Sequence, residues 1–327
     1  MGQENQLFPL VNARERLAAI GVPATAAEAF RAVALVRAPQ VARAYAEVHN
    51  AAFAAEGVAS LPPRWRAPWP ESWREAIDWS RARKLAVAAV GQAHPDLGAR
   101  ARAVVAMGRA RVAQDLVPHT RPSRLGPPHV FVRFDGTSET PLMLAHELGH
   151  AAQMSLCAWG PSQPAPLLAG SETAAHVAER GFHTVYARLG APRAAAARVA
   201  EDLLAMLVRH PARDALECGG AWSDICMAYA PGLAWAADPP PFTARARAEP
   251  LSTLAYAMAA AVAIMLHHRI ERERGLADAY LRWVRLGPQA RFEDAAALLG
   301  LAADDPTLYM CAYDAAMDDM RRARQLA

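Results

Sequence analysis

Cysteine and lysine are both scarce in this sequence, and each shortage narrows the possible functions. The four cysteines lie far apart and form no C-x-x-C pair, which argues against a disulfide framework and against a thiolate zinc site. Lys84 is the only lysine, and the arginines are scattered among acidic residues, which leaves a net charge of +3. Because proteins that bind nucleic acids cluster their basic residues, we expect no nucleic-acid partner.

Targeting segments and long apolar runs are also missing. The N-terminus, MGQENQLFPLVN, has no apolar signal core, and Gln6 stands where a myristoylation signal needs Ser or Thr. The longest apolar run, Leu251–Leu266, is short for a membrane span and contains Ser252 and Thr253. We therefore expect a soluble, reduced and cytoplasmic protein with no membrane partner.

Helical patterns follow one another along almost the whole chain. Thr25 and Glu28 predict a capping box for a first long helix that Pro39 interrupts. The segment HVFVRF, residues 129–134, is rich in Val and Phe and predicts the one convincing strand. The other predicted helices cover residues 70–94, 95–115 and 139–156, a stretch from Ser171, and roughly 192–209, 211–228, 251–275, 276–286, 291–299 and 307–325.

The predicted helix ETPLMLAHELGHAAQMSL, residues 139–156, carries the pattern H-E-x-x-H. His146 and His150 are four residues apart, so a helix places both imidazoles on one face, where they can bind a single ion. Glu147 lies beside them, within reach of a water molecule. A catalytic zinc would also need a third protein ligand and an open coordination position. The pattern also arises by chance, so its surroundings decide what it means.

A polar stripe on the next predicted helix supplies such surroundings. Four ionisable residues, at i, i+4, i+7 and i+11, share one side of the segment GSETAAHVAERGFH: Glu172, His176, Glu179 and His183. A stripe of this kind on its own is equally typical of a solvated helix face. Beside an H-E-x-x-H helix, it is better explained by a metal that both helices share.

These segments resemble a known family. The run HVFVRFDGTSETPLMLAHELGHAAQ is similar to the strand, Gly-Thr turn and zinc helix of the M3 metallo-oligopeptidases, in particular the oligoendopeptidase F branch. The run ETAAHVAE, from Glu172 to Glu179, resembles the family's E-x-x-S-x-x-x-E helix, with Ala175 in place of the serine. The resemblance covers roughly residues 71–301. It implies a mainly α, zincin-like catalytic domain with one small β-sheet next to the H-E-x-x-H helix.

The resemblance also implies a mechanism: a metallopeptidase that hydrolyses short peptides or a peptide-like substrate. The implied ligands of Zn²⁺ are His146, His150 and Glu172. Zinc polarises the scissile carbonyl and its water, while Glu147, as the general base, passes the water's proton to the leaving amine. Glu179 orients a ligand histidine through its free ring nitrogen, with His176 beside it.

Two structural expectations follow from the same resemblance. The strand at 129–134 is expected to offer its edge to an extended peptide. The chain is expected to form a single catalytic domain over 1–327, with an N-terminal helical segment at 1–70 and the catalytic core at 71–327. Most of the long N-terminal region that roofs the family's substrate channel is absent from this sequence.

The chain departs from the family on the side that faces the zinc. Family members carry a histidine and several tyrosines there, whereas this chain reads FTARARAEPLSTLAYA and keeps Tyr256, which we expect to be catalytic. Losing an oxyanion donor costs about 10²–10³-fold in rate. Arg245, Arg247 and Tyr229 are candidate substitutes.

Two other functions stay open at this point. The E-x-x-H pattern of Glu147 and His150 also marks di-iron carboxylate bundles, although those contain two such elements and this sequence shows one. A relative that keeps the zinc without cutting peptides, as a biosynthetic enzyme or a binding module, would fit the reduced oxyanion side. Metal content separates the di-iron hypothesis from a peptidase, and turnover of short peptides separates the other.

Overall fold

The fold is built mainly from α-helices, as the sequence predicts. The computed structural model describes residues 13–58, 69–157, 167–189, 192–231, 233 and 251–326. Within these ranges the α-helices are α1 (Ala13–Ala19), α2 (Ala24–Ala55), α3 (Trp79–Ala93), α4 (Pro95–Ala106), α5 (Glu139–Leu156), α6 (Leu168–Arg188), α7 (Pro192–Leu204), α8 (His210–Glu217), α9 (Trp222–Tyr229), α10 (Ser252–Ile270), α11 (Arg274–Val284), α12 (Phe292–Ala297) and α13 (Pro306–Gln325). Short 3₁₀ turns lie at Glu71–Trp73 and Gly287–Gln289, and a π-helical turn, Ala205–Arg209, joins α7 to α8.

One small mixed sheet packs beside α5. Its strands are β1 (Ala110–Val112), β2 (His119–Arg121) and β3 (His129–Val132), in the order β1-β3-β2. Strand β3 pairs in parallel with β1 and antiparallel with β2. The predicted strand is therefore confirmed, although it is shorter than 129–134. Its predicted role as a peptide-binding edge is wrong, because both edges of β3 are already paired and β1 and β2 form the outside of the sheet.

The predicted helix over 95–115 is too long. Helix α4 ends at Ala106, and Gly108 then takes a φ of 66°. Glycine enters this left-handed region without the steric cost that other residues meet, so the helix stops there and the chain turns into β1. Strand β2 lies between the predicted helix 95–115 and the predicted strand 129–134, where the sequence predicts neither helix nor strand. It was missed because its pairing depends on a distant partner rather than on local composition.

Helix α2 differs from the prediction at its start and at Pro39. It begins after Pro23 with no side-chain cap, so the capping box predicted at Thr25 does not form. Pro39 lies inside a continuous helix rather than interrupting it. An internal proline costs about 3 kcal/mol. Burial of Ala38 and Val41 on either side of it offsets that cost by tying both halves of α2 into the core.

Helix α3 begins later than the sequence predicts. The expected start at Pro70 is instead followed by the short 3₁₀ turn and an extended stretch. The regular helix starts at Trp79, where the side chain of Asp78 accepts a hydrogen bond from the backbone N–H of Arg81. An aspartate at this position satisfies one of the N–H groups that a helix leaves unpaired at its start, which fixes the boundary there.

Helices α5 and α6 approach each other closely where small residues meet. A Cβ atom on Gly149 would lie 3.0 Å from the Cα of Ala175 and 3.2 Å from the Cβ of Ala178. Contacts this short leave no room for a side chain in a close-packed interior. Gly149 directly precedes His150, and Ala175 lies one turn after Glu172, so this contact sets the separation of the two polar stripes.

The most apolar helix, α10, lies in the centre of the core. It has the length and composition of a membrane span, but most of it is buried, as in the core helix of a soluble protein. It packs against α6 on one side and α13 on another. The buried apolar residues of the described ranges form one continuous core, to which α2 contributes Phe30 and Tyr45.

Candidate metal centre

The three predicted zinc ligands lie together between α5 and α6. Ligand atoms of His146, His150 and Glu172 all lie within 4.8 Å of one another. The Nε2 atoms of His146 and His150 lie 3.2 and 3.6 Å from the two carboxylate oxygens of Glu172. Their imidazole rings are nearly perpendicular, at 84°, with centroids 4.9 Å apart. Two imidazole nitrogens and one carboxylate are a donor set that zinc takes in catalytic sites.

The other ring nitrogens of both histidines are held in place by hydrogen bonds. The Nδ1 of His146 lies 2.8 Å from one oxygen of Glu179, and the Nδ1 of His176 lies 2.6 Å from the other. Ser171, where the sequence predicts the start of a helix, lies inside α6 with its Oγ 3.1 Å from the Nδ1 of His150. Because Nδ1 is engaged in each ligand histidine, Nε2 is the atom left to bind a metal.

A buried carboxylate oxygen in this cluster is also available to bind a metal. Oε2 of Glu172 has no hydrogen-bond partner among the described residues. The Nε2 of His146, another predicted zinc ligand, lies 3.2 Å from it. A buried polar atom that lacks a partner costs about 1–3 kcal/mol. Coordination of a zinc ion by Glu172, His146 and His150 would remove that cost, so the residues present fit the ion.

A second group with metal-like spacing shares His146 with the first. Its ligand atoms, from His146, His176 and Glu179, also lie within 4.8 Å of one another. Their distances of 2.8 and 2.6 Å are those of imidazole–carboxylate hydrogen bonds, which is the arrangement that supports a ligand histidine from behind. Glu147 contributes to neither group.

The side chain of Glu147 is held by a hydrogen bond from strand β2 rather than by the predicted zinc ligands. Its carboxylate is almost completely buried, at 6% exposure. The hydroxyl of Thr120 on β2 lies 2.7 Å from Oε2 of Glu147 and 2.9 Å from its backbone carbonyl oxygen. The sequence gave no reason to select Thr120, because it lies in a predicted loop. It was missed because only the pairing of β2 with β3 brings it to α5.

The charges around the cluster favour a cation. Burial alone would lower the pKa of His146, but the carboxylates of Glu179 and Glu172 hold that pKa well above its usual value. Burial would likewise raise the pKa of Glu172, but the imidazoles of His150 and His146 hold it well below its usual range. The pKa of Glu179 is lowered against burial by His176 and His146. Two ionised carboxylates therefore surround the imidazoles, and their field attracts positive charge.

Tyr256 on α10 lies beside the cluster, against two histidines. Its ring is stacked on His210 with centroids 6.0 Å apart, and it meets His176 edge-on at 6.1 Å. His210 was not selected from the sequence, since no motif surrounds it. Burial, followed by repulsion from Arg213, lowers the pKa of His210 to about 3, so this imidazole is neutral.

The remaining candidates lie elsewhere. His183, the last member of the polar stripe, has its Nε2 2.9 Å from Asp202 on α7 and belongs to neither metal-like group. Tyr229 lies near Asp214, which together with burial raises the pKa of its hydroxyl. Arg245 and Arg247 lie outside the described residues.

Comparisons with known proteins bear on the fold. No family model matches the sequence, and no curated protein matches it. Solved structures do match. A Pz peptidase A solved with an inhibitor is 16% identical, with a TM-score of 0.70 over 94% of this chain and 60% of that one. An oligoendopeptidase F from Enterococcus faecium is 13% identical, with a TM-score of 0.60 over 96% of this chain and 55% of that one.

A third solved structure, a Bacillus anthracis protein described as a putative oligoendopeptidase F, is 13% identical. Its TM-score is 0.69 over 95% of this chain and 58% of that one. The chain thus spans about three fifths of the length of these structures. Identities this low establish the fold and leave the activity open. The chain has the fold of the oligoendopeptidase F peptidases, and the resemblance found in its sequence is confirmed at the level of the fold.

Proposed function

We propose that the protein is a zinc-dependent metallopeptidase that hydrolyses short peptides or a peptide-like substrate. The observation that carries the proposal is the convergence of His146, His150 and Glu172 from two helices, with Glu147 beside them. The fold shared with peptidases supports the same class of reaction. Zinc is favoured by the H-E-x-x-H spacing, which places Glu147 beside two imidazoles and one carboxylate.

The proposed chemistry divides between the ion and the protein. A bound zinc ion would act as a Lewis acid that polarises the scissile carbonyl and makes a nearby water more acidic. Glu147 takes the proton from the attacking water and returns it to the leaving nitrogen. Thr120 fixes the position of the Glu147 carboxylate, and Glu179 fixes the ring of His146.

An extended substrate would bind beside β2. This strand lies on the outside of the sheet and contacts α5 through Thr120 and Glu147. A peptide that adds to the outer edge of β2 would gain backbone hydrogen bonds and run past Glu147. Tyr256, which packs against His176, is the residue we propose for the oxyanion side.

A relative that retains the zinc without cutting peptides is the second candidate. It is favoured by the four residues that stand where the family has the companions of Tyr256: Leu251, Ser252, Leu254 and Ala255. All four are buried, and only Ser252 has a side chain that can form a hydrogen bond. The di-iron alternative is disfavoured, because Glu147 is bound to Thr120 and lies in neither metal-like group.

The cellular setting is also part of the proposal. None of the four cysteines forms a disulfide, which suits a reducing compartment such as the cytoplasm. We propose no nucleic-acid or membrane partner, given the scattered arginines and the burial of α10.

Elemental analysis and a peptide assay test the proposal together. We expect one zinc ion per purified chain and cleavage of short quenched-fluorescent peptides. Treatment with a chelator should abolish cleavage, and added zinc should restore it. Zinc without cleavage of any peptide would favour the non-proteolytic relative, and iron in place of zinc would refute the proposal.

A further inference from the structure

A second candidate site is a cavity along α6, with mainly apolar walls and several charged residues, away from the metal centre. It has a volume of about 510 Å³ and is enclosed by α6, α7, α10 and α13. Ligand pockets commonly have volumes of about 300–1,000 Å³, so this one suits a small metabolite. His183 lines it and lies eleven residues after Glu172 on α6, which is about 16 Å along a helix. The cavity is therefore separate from the proposed zinc ligands.

Positive charge predominates in this cavity. Its lining includes four arginines and two carboxylates: Arg180, Arg188, Arg272 and Arg322, with Glu271 and Asp319. Four positive against two negative charges leave an excess of two positive charges. Asp319 pairs with both Arg180 and Arg322, and Glu271 is 3.7 Å from Arg188. The charge excess therefore persists after these ion pairs are formed.

Three buried nitrogen atoms of the lining residues lack partners within the part of the chain that the structure describes: Nη1 of Arg180, Nε2 of His267 and Nδ1 of His183. His267 is 6% exposed. Burial, followed by repulsion from Arg180, lowers its pKa to about 3, so it is a neutral imidazole that can offer an N–H. Buried donors of this kind are normally paired, so their lack of partners indicates a ligand that accepts hydrogen bonds.

His183 does not belong to this donor set. Its Nε2 is already engaged with Asp202, and burial lowers its pKa, so the ring is neutral with Nδ1 left as an acceptor. The donors that face the cavity come instead from α6, α10 and α13. A group with several acceptor oxygens and a negative charge would satisfy them together.

The geometry points to a second binding site between α6, α7, α10 and α13 for a small molecule that carries an oxyanion, either a phosphate or a carboxylate group. Guanidinium groups bind both kinds of oxyanion through paired N–H donors. None of the proposed zinc ligands lines this cavity.

Calorimetric titration at low ionic strength, where charge interactions are least screened, tests this site. The probes are inorganic phosphate and succinate. We expect at least one of them to bind with one-to-one stoichiometry. Binding of phosphate alone would identify a phosphate group as the natural ligand's anion, and binding of succinate alone would identify a carboxylate. If neither probe binds, the proposal is refuted.

Two adjacent arginines on α13 give a matched pair of variants. Arg322 pairs with Asp319 and lines the cavity, whereas Arg321 pairs with Asp318 and lies outside the lining. Both are exposed and lose the same charge on change to glutamine. We expect Arg322→Gln to weaken binding by about tenfold, the loss of one charge-assisted hydrogen bond, and Arg321→Gln to leave it nearly unchanged.

His267→Phe provides an independent check from α10. The ring volume is retained while the Nε2 donor is lost, so we expect a loss of affinity of about fivefold or more. A circular dichroism spectrum establishes that each variant is folded. Equal weakening in Arg321→Gln and Arg322→Gln would overturn the proposal, and so would wild-type affinity in both Arg322→Gln and His267→Phe.

Discussion

Helix α6 borders two polar sites of opposite character. Toward α5 it presents Glu172 and Glu179, whose carboxylates meet the imidazoles of His146 and His150. Farther along, toward α10 and α13, it presents Arg180 and Arg188 to a separate cavity. The function of polar residues on a helix therefore depends on the helices that pack against them. These neighbouring helices decide which charge of ligand each part of α6 can bind.

Two histidines, His146 and His267, show a similar contrast in the direction of their pKa shifts. Despite burial, two carboxylates hold the pKa of His146 well above its usual value. Burial and the nearby Arg180 lower the pKa of His267 to about 3. Both imidazoles are largely shielded from water, yet the charged groups around them shift the two pKa values in opposite directions. Substitution of the residues that form the metal centre, with matched changes elsewhere in the protein, tests this contrast.

The largest effect is expected from His150→Ala. Removal of one of three ligands should abolish zinc binding, so that the metal content falls from one ion per chain to near zero. His183→Ala is the matched control, because His183 ends the same stripe but pairs with Asp202. It should retain a full zinc ion. Elemental analysis of the folded variants measures both, and equal metal content would refute the ligand assignment.

Glu147→Gln should remove activity without removing the metal. The amide cannot accept a proton, and a general base contributes about 10²–10⁴-fold to the rate. Glu147 lies outside both metal-like groups, so zinc content should stay at the wild-type level. Activity and metal content are measured on the same preparation. Loss of metal would favour the di-iron alternative, and unchanged turnover would contradict both mechanisms.

Glu179→Gln should weaken zinc binding without abolishing it. The carboxylate orients His146 through Nδ1, and loss of such a partner lowers metal affinity by about 10–100-fold. Asp202→Asn alters the corresponding carboxylate–imidazole pair at His183 and should leave zinc affinity unchanged. Competition with a calibrated chelator measures both affinities. If the two substitutions act alike, Glu179 has no special connection to the metal.

The smallest effect is expected from Thr120→Val. The change keeps the shape of the side chain and removes the hydroxyl next to the Glu147 carboxylate. We expect kcat to fall by about tenfold, the equivalent of one hydrogen bond to a charged group, with KM nearly unchanged. Thr120→Ser, which restores the hydroxyl, should recover most of the rate. A loss that serine does not rescue would assign Thr120 a packing role.

The shared helix face of His146 and His150 could be predicted from the sequence, because their spacing is local. Glu172, the third proposed ligand, lies on the next helix and was selected through the resemblance to the family. Thr120 could not be predicted, since it reaches Glu147 through strand pairing that depends on tertiary structure. The second cavity was hidden for a similar reason: Arg180, His267 and Arg322 come from three helices that only the fold brings together.

The secondary structure, too, could be predicted only in part from the sequence. Long helices such as α10 and α13 follow from composition and periodicity. The end of α4 before Gly108 and the continuity of α2 through Pro39 did not, because a turn conformation and buried packing overrode local preference. The predicted peptide-binding edge of β3 was wrong because the sequence did not reveal β1 and β2.

The location of the ligands on two helices has a consequence for thermodynamic linkage. His146 and His150 belong to α5 and Glu172 to α6, and these helices touch through Gly149 and Ala175. An ion bound by all three would favour only the conformations in which the helices are docked. Free zinc at a hundred times its dissociation constant would then add about 2.7 kcal/mol to the free energy of unfolding. The melting temperature would thereby report the zinc concentration around the protein.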